Sequence, residues 1–259
     1  MKQIRIVYKY LQHFFTARHT GGHGVHSPFL FNFTNFVIYE KNPFYAYKAI
    51  EDIRKSLLKD KREIAVTDFG TGNNRQKTIK SIARRSLKEA KYGQLLFRIV
   101  NYFTCQNILE LGTSLGITAS YLASVSRNIR CTTIEGCAET AKVAADGFKK
   151  LGLDNVNQII GNIDEILPDV LDDNTNLDFV FIDANHRYEP LMRYFEQILP
   201  NLNDNSVLIV DDLYWSAEME KAWKSIKKHP KVSATIDLFQ LGIVFFNPQL
   251  NKKDYKMRY

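Results

Sequence analysis

Ile108-Leu109-Glu110-Leu111-Gly112-Thr113-Ser114-Leu115-Gly116 is the stretch whose reading decides the fold. An apolar run closes on an acid, Glu110, and a turn punctuated by Gly112 and Gly116 follows. A helical run, Thr118 to Ala123, comes next. The order is strand, tight turn and helix start, a place where a ligand can approach bare backbone amides. The spacing E-x-G-x-x-x-G departs from the dinucleotide fingerprint G-x-G-x-x-G, whose second glycine makes room for a pyrophosphate.

Working outward, the same unit recurs. Ile129 to Glu135 is an apolar strand ending in Glu135, which lies 25 residues beyond Glu110 and is positioned to accept ribose hydroxyls. Val156 to Ile160 leads into Gly161-Asn162-Ile163-Asp164. Asp178 to Ile182 ends at Asp183, and Ser206 to Val210 ends at Asp211 and Asp212. Helical patterns separate these strands, which predicts an α/β fold with a doubly wound, Rossmann-like parallel sheet. Ligands in such sheets bind beyond the carboxyl ends of the strands, where these acids fall. The alternative reading of each single acid is ordinary turn chemistry or a helix cap. A carboxylate in the glycine turn would repel a phosphate. The turn therefore suits a ligand with a cationic end and no phosphates, of which S-adenosylmethionine is the common case.

Six stretches carry a resemblance: Gly93-Gln94-Leu95-Leu96, Ile108 to Gly116, Thr133-Ile134-Glu135, Gly161 to Leu167, Phe179 to Pro190, and Leu208 to Trp215. Over residues 93–247 the chain resembles class I S-adenosylmethionine-dependent methyltransferases, and within them the catechol and caffeoyl-CoA O-methyltransferase branch with its bacterial relatives. The resemblance implies a seven-stranded sheet with an antiparallel last strand. Ser233 to Leu238 and Gly242 to Asn247 agree independently, since their three-residue connection permits only an antiparallel pair. It also implies roles. Glu110, Gly112, Ser114 and Gly116 would surround the methionine end of the cofactor, with Thr118 nearby. Glu135 would hold the ribose, and Ile163 and Asp164 would flank the adenine. Asp183, Asp211 and Asp212 match the family's ligands for Mg²⁺ or another divalent cation. The family usually has Asn where Asp212 stands, and a lysine where His186 stands.

Methyl transfer from a sulfonium is an in-line displacement, so donor and nucleophile must be aligned and the nucleophile made electron-rich. His186, three residues beyond Asp183, can take a hydroxyl proton near neutral pH, with Asp183 as orienting acid or metal ligand. The expected acceptor is a small molecule and the expected group an oxygen.

Composition bounds the rest. The 259 residues are 45% hydrophobic and 24% charged, ordinary for a globular enzyme. No apolar run is long enough to span a membrane, and the N-terminus lacks the apolar core and cleavage site of a signal peptide. Cys105, Cys131 and Cys137 have no C-x-x-C spacing and read as free thiols of a reducing cytoplasm. Three segments are expected: a basic, aromatic-rich, mainly helical extension over 1–90, the cofactor-binding domain over 91–250, and a basic tail over 251–259. Residues 1–103 hold 19 Lys and Arg against 7 Asp and Glu, a net of +12, while the remainder nets −5. Helices are predicted from Ile4 to Phe15 and from Tyr45 to Lys59, with a Gly- and His-rich loop from Thr20 to Pro28. Methyltransferases of the resembled branch use such helices as a cover and for homodimer contacts. His19, His23 and His26 lack the second spaced pair of a zinc site. Asp68-Phe69-Gly70-Thr71-Gly72 imitates the glycine turn but leads into a basic, helix-like stretch from Arg75 to Lys91, and reads as a loop. Two other readings stay open: an RNA methyltransferase using the basic arm, and a cofactor-binding protein without catalysis. The RNA reading lacks the Asn/Asp-Pro-Pro-aromatic run after the fourth strand.

Overall fold

The computed structural model describes residues 2–68, 73–173 and 175–259. The glycine-turn imitation therefore lies, at residues 69–72, outside the described residues. In chain order the helices are α1 (Lys2–Thr16), α2 (Pro28–Phe33), α3 (Tyr47–Leu57), α4 (Ile79–Ser86), α5 (Ala90–Tyr102), α6 (Ile117–Ala123), α7 (Ala138–Leu151), α8 (Ile163–Asp172), α9 (Tyr188–Ile198) and α10 (Ala217–Lys228). The strands are β1 (Glu63–Asp68), β2 (Asn73–Thr78), β3 (Asn107–Leu111), β4 (Arg130–Glu135), β5 (Val156–Ile160), β6 (Leu177–Ile182), β7 (Leu202–Asp211), β8 (Ala234–Asp237), β9 (Leu241–Phe245) and β10 (Lys253–Lys256). The chain forms two compact units, residues 42–172 and residues 1–41 with 173–259. The segment 1–90, read from sequence as one extension, is thus divided at residue 41.

In the unit 42–172, β3, β4 and β5 pair in parallel, with Glu110 beside Thr133 and Glu135 beside Ile160. Helices follow each strand, as the alternating pattern requires. Ile50, Phe97, Ile117 and Tyr121 are buried together where α3, α5 and α6 meet. Helix α7 has Glu139 in its first turn and Lys149 and Lys150 in its last, complementing the helix dipole. It ends at Gly152, whose φ of 64° supplies the left-handed cap. The stretch from Arg75, expected to be helical, begins instead as β2, which pairs antiparallel with β1. Its helix starts only at Ile79, where the Thr78 hydroxyl caps the amide of Ser81.

In the other unit, β6 and β7 are parallel, β9 is antiparallel to both β7 and β8, and β10 is parallel to β8. The expected antiparallel strand is β9. Leu177–Ile182 and Val207–Val210 are almost entirely apolar and fully buried, as strands covered on both faces are. The segment read as a basic tail contains β10, one strand more than the seven the resemblance implies. Lys253-Asp254-Tyr255-Lys256 is too short and polar to signal itself; charges blunt its edge and only Tyr255 is buried. Helix α1 is anchored in this unit by Arg5 and Lys9, both bonded to Glu220. His13 is anchored too: its Nε2 lies 3.0 Å from Asp237 Oδ1. Asp237 also accepts the Tyr214 hydroxyl at 2.5 Å.

Candidate active site

The glycine turn after β3 takes an unusual backbone path. Gly112, Ser114 and Gly116 have φ of 101°, 48° and 78°. A side chain at Ser114 in the left-handed region carries a conformational cost, and such residues persist where the surroundings fix them. The fixing groups are visible. The amides of Gly112 and Thr113 donate to the carbonyl of Ile134 at 3.0 and 3.1 Å, and that of Gly116 donates to Thr113 at 2.9 Å. The Ser114 amide donates to Glu135 Oε2 at 2.7 Å. The chain satisfies these particular donors itself, because strand β4 runs alongside the turn. Beside the turn stand two carboxylates, Glu110 and Glu135.

Glu135 closes β4 with both oxygens engaged, Oε2 by Ser114 and Oε1 by the Cys137 amide at 2.9 Å. Burial pushes its carboxyl above the ordinary value of 4.5, against the two amides, which favour the ionised form. Glu110 is wholly buried and accepts the Thr133 hydroxyl at 2.5 Å; that hydroxyl lies 2.6 Å from Thr113 Oγ1. Sequence reading missed Thr113 and Thr133. The parallel register that sets Thr133 beside Glu110 is the only signal that could have found Thr133, and it is not local.

Gly116 has a different reason to be glycine. An added Cβ would lie 2.8 Å from the Ala144 Cβ and 2.9 Å from the Phe148 ring, so the position serves the packing of α6 on α7. Thr118 is half-buried on α6. Ile163 and Asp164 open α8. Asn162 caps this helix, its Oδ1 accepting the Asp164 amide at 3.2 Å and its Nδ2 donating to Glu165 Oε1 at 3.1 Å.

The other acids lie in the unit containing β6 and β7. His186 Nε2 is 3.6 Å from Asp183 Oδ1, an ion-pair separation too long for a hydrogen bond. Its Nδ1 is buried with no hydrogen-bond partner among the described residues, and its ring is 6.1 Å from that of Trp215. The adjacent Asn185 has a φ of 58°. Asp211 is fully buried, and its Oδ1 accepts the Asp212 amide at 2.7 Å. Asp212 is left-handed, with a φ of 52°. Among the described residues no group of three or more His, Cys, Asp or Glu is arranged to hold a metal ion. Asp183 follows β6, Asp211 and Asp212 close and follow β7, and one oxygen of Asp211 is engaged by the Asp212 amide. The cap of α10 is Ser216, whose hydroxyl accepts the Met219 amide. The three cysteines are free and buried, as expected.

With this geometry in hand, comparison adds the following. The family model for a methyltransferase domain matches residues 109–213, from within β3 to just past β7. Cofactor-bound Rv0187 from MTB is 17% identical with a TM-score of 0.59, covering 85% of this chain and 97% of that one. The O-methyltransferase from Bacillus cereus in complex with SAH is 18% identical with a TM-score of 0.59, covering 82% and 96%. The O-methyltransferase TomG from Streptomyces achromogenes, involved in tomaymycin synthesis and solved with SAM, is 19% identical with a TM-score of 0.56, covering 82% and 94%. No curated protein matches by sequence. Residues 109–213 match a methyltransferase-domain model, and the chain shares the fold of these solved methyltransferases.

Proposed function

We propose that the protein transfers a methyl group from S-adenosylmethionine to an oxygen of a small-molecule acceptor. One observation carries the reading: a single unit brings two carboxylates, the buried Glu110 and the partly buried Glu135, to the ends of adjacent parallel strands beside the glycine turn. Such a site attracts a cation and hydroxyls and repels phosphate. S-adenosylmethionine supplies the methyl group on a positively charged sulfur.

Glu135 has each oxygen steadied by one amide, and a carboxylate oxygen can accept a second hydrogen bond. The ribose hydroxyls are its partners in this reading. Glu110, held by Thr133, faces the methionine end together with Gly112, Ser114 and Thr118. Ile163 and Asp164 flank the adenine. His186 is the proposed base, taking the proton of the acceptor's hydroxyl. Asp183, on the Nε2 side, steadies the imidazolium that forms. No step is routed through a metal ion.

Calorimetry with S-adenosylhomocysteine tests the cofactor claim. Micromolar binding by the wild type, weakened at least tenfold in Glu135→Gln, is expected. Failure to bind, or binding of a nicotinamide dinucleotide instead, overturns it.

A further inference from the structure

Helix α1 carries its apolar face on the wrong side for a helix that only packs on its own protein. Among its described residues His13 is buried, and its Arg5 and Lys9 bond to Glu220. Ile4, Val7, Tyr8, Leu11 and Phe15 recur at the spacing of one helical face. They are 75, 57, 63, 48 and 75% exposed. Scaled to side-chain size, these five present roughly 700 Å² of apolar surface, more than the ~300–600 Å² of the largest patch on a typical monomer.

The rim of this face is cationic. At the C-terminal end of α1, the Arg258 guanidinium lies 4.0 Å from the centre of the Phe14 ring and its Nε donates to the Phe14 carbonyl at 3.0 Å. Lys256 Nζ donates to Thr16 Oγ1 at 3.2 Å, and Arg18 is exposed. No acid occurs before Glu40 in the sequence.

We propose that α1 is an interfacial helix that seats the protein on an anionic lipid surface. The helix, about 22 Å long, lies in the surface plane with its apolar face about 5–10 Å deep. Arg18, Lys256 and Arg258 then meet lipid phosphates. It is not a span, since no described helix is long and apolar enough to cross a membrane. Charge selects this occupant over a second copy of the chain: Glu220 offsets Arg5 and Lys9, but Arg18, Lys256 and Arg258 keep one end of the face cationic, and two such ends would repel. Side-chain type selects it over RNA, because Ile4, Val7 and Leu11 have no ring to stack on a base.

Co-sedimentation with phosphatidylcholine vesicles containing about one third phosphatidylglycerol tests the proposal. The wild type should bind these vesicles, bind pure phosphatidylcholine at least tenfold less, and release as salt is raised. Leu11→Gln with Phe15→Gln should lower the partition coefficient roughly 30-fold or more, with an unchanged melting temperature. Arg18→Gln should lower it about fivefold. The wild-type lipid and salt arms hold even if the double variant unfolds. The proposal is overturned by wild type that stays in the supernatant with anionic vesicles. It is equally overturned by a dimer in light scattering that Leu11→Gln abolishes, or by RNA binding without vesicle binding.

Discussion

Replacing Thr133 by valine removes one hydroxyl from a wholly buried chain while keeping shape and strand propensity. The hydroxyl donates to Glu110 at 2.5 Å and lies 2.6 Å from Thr113 Oγ1. Glu110 and Thr133 have no solvent exposure and Thr113 has 2%, so water cannot substitute. A hydrogen bond to a charged group contributes about 1.5–3 kcal/mol, and the orphaned Thr113 hydroxyl adds to the loss. We expect Thr133→Val to destabilise by about 2–4 kcal/mol, a drop in melting temperature of about 4–12 °C for a chain of this size. Scanning calorimetry of wild type, Thr133→Val and Thr133→Ser measures it. Serine restores the hydroxyl and should recover most of the loss. If valine melts within a degree of wild type, the Thr113–Thr133–Glu110 chain does not hold the carboxylate and the reasoning fails. With S-adenosylhomocysteine, the valine variant should also bind at least tenfold more weakly, because Glu110 loses its fixed orientation.

Three further outcomes are expected. Gly116→Ala forces a Cβ into the left-handed region and to 2.8 Å from Ala144, costing about 2–4 kcal/mol; an unshifted urea midpoint would contradict this. Burial raises the Glu135 carboxyl, so it protonates at a higher pH than an ordinary glutamate. Cofactor affinity should therefore fall as pH drops toward 5, while the group's own contribution to stability runs the other way, present at low pH and lost as pH rises through the raised value. In a pH series the difference between wild type and Glu135→Gln should carry this dependence in both readouts; a difference constant with pH would contradict it. His186→Asn should lower methyl transfer about 10²–10⁴-fold with cofactor affinity unchanged; loss of affinity instead would remove its role as base.

The sequence by itself determined the alternation of strands and helices, the glycine turn at Gly112–Gly116 and the acids at the strand ends. These are local signals: apolar periodicity, turn chemistry and strand length act over a few residues. Glu110 and Glu135 were legible for that reason, as was the antiparallel strand β9. Only the tertiary structure decided what those acids touch. Register brings Thr133 to Glu110, and the path of β4 beside the turn gives its amides internal partners. Asp211 reads as a strand-ending acid in a row of letters, and only the structure shows one of its oxygens accepting the next amide. The segment from Ile4 to Phe15 reads as a helix of the aromatic-rich extension, and burial shows that its apolar stripe faces outward. Periodicity says which residues share a face, but the direction of that face is set by contacts more than two hundred residues away, such as His13 with Asp237 and Arg5 with Glu220.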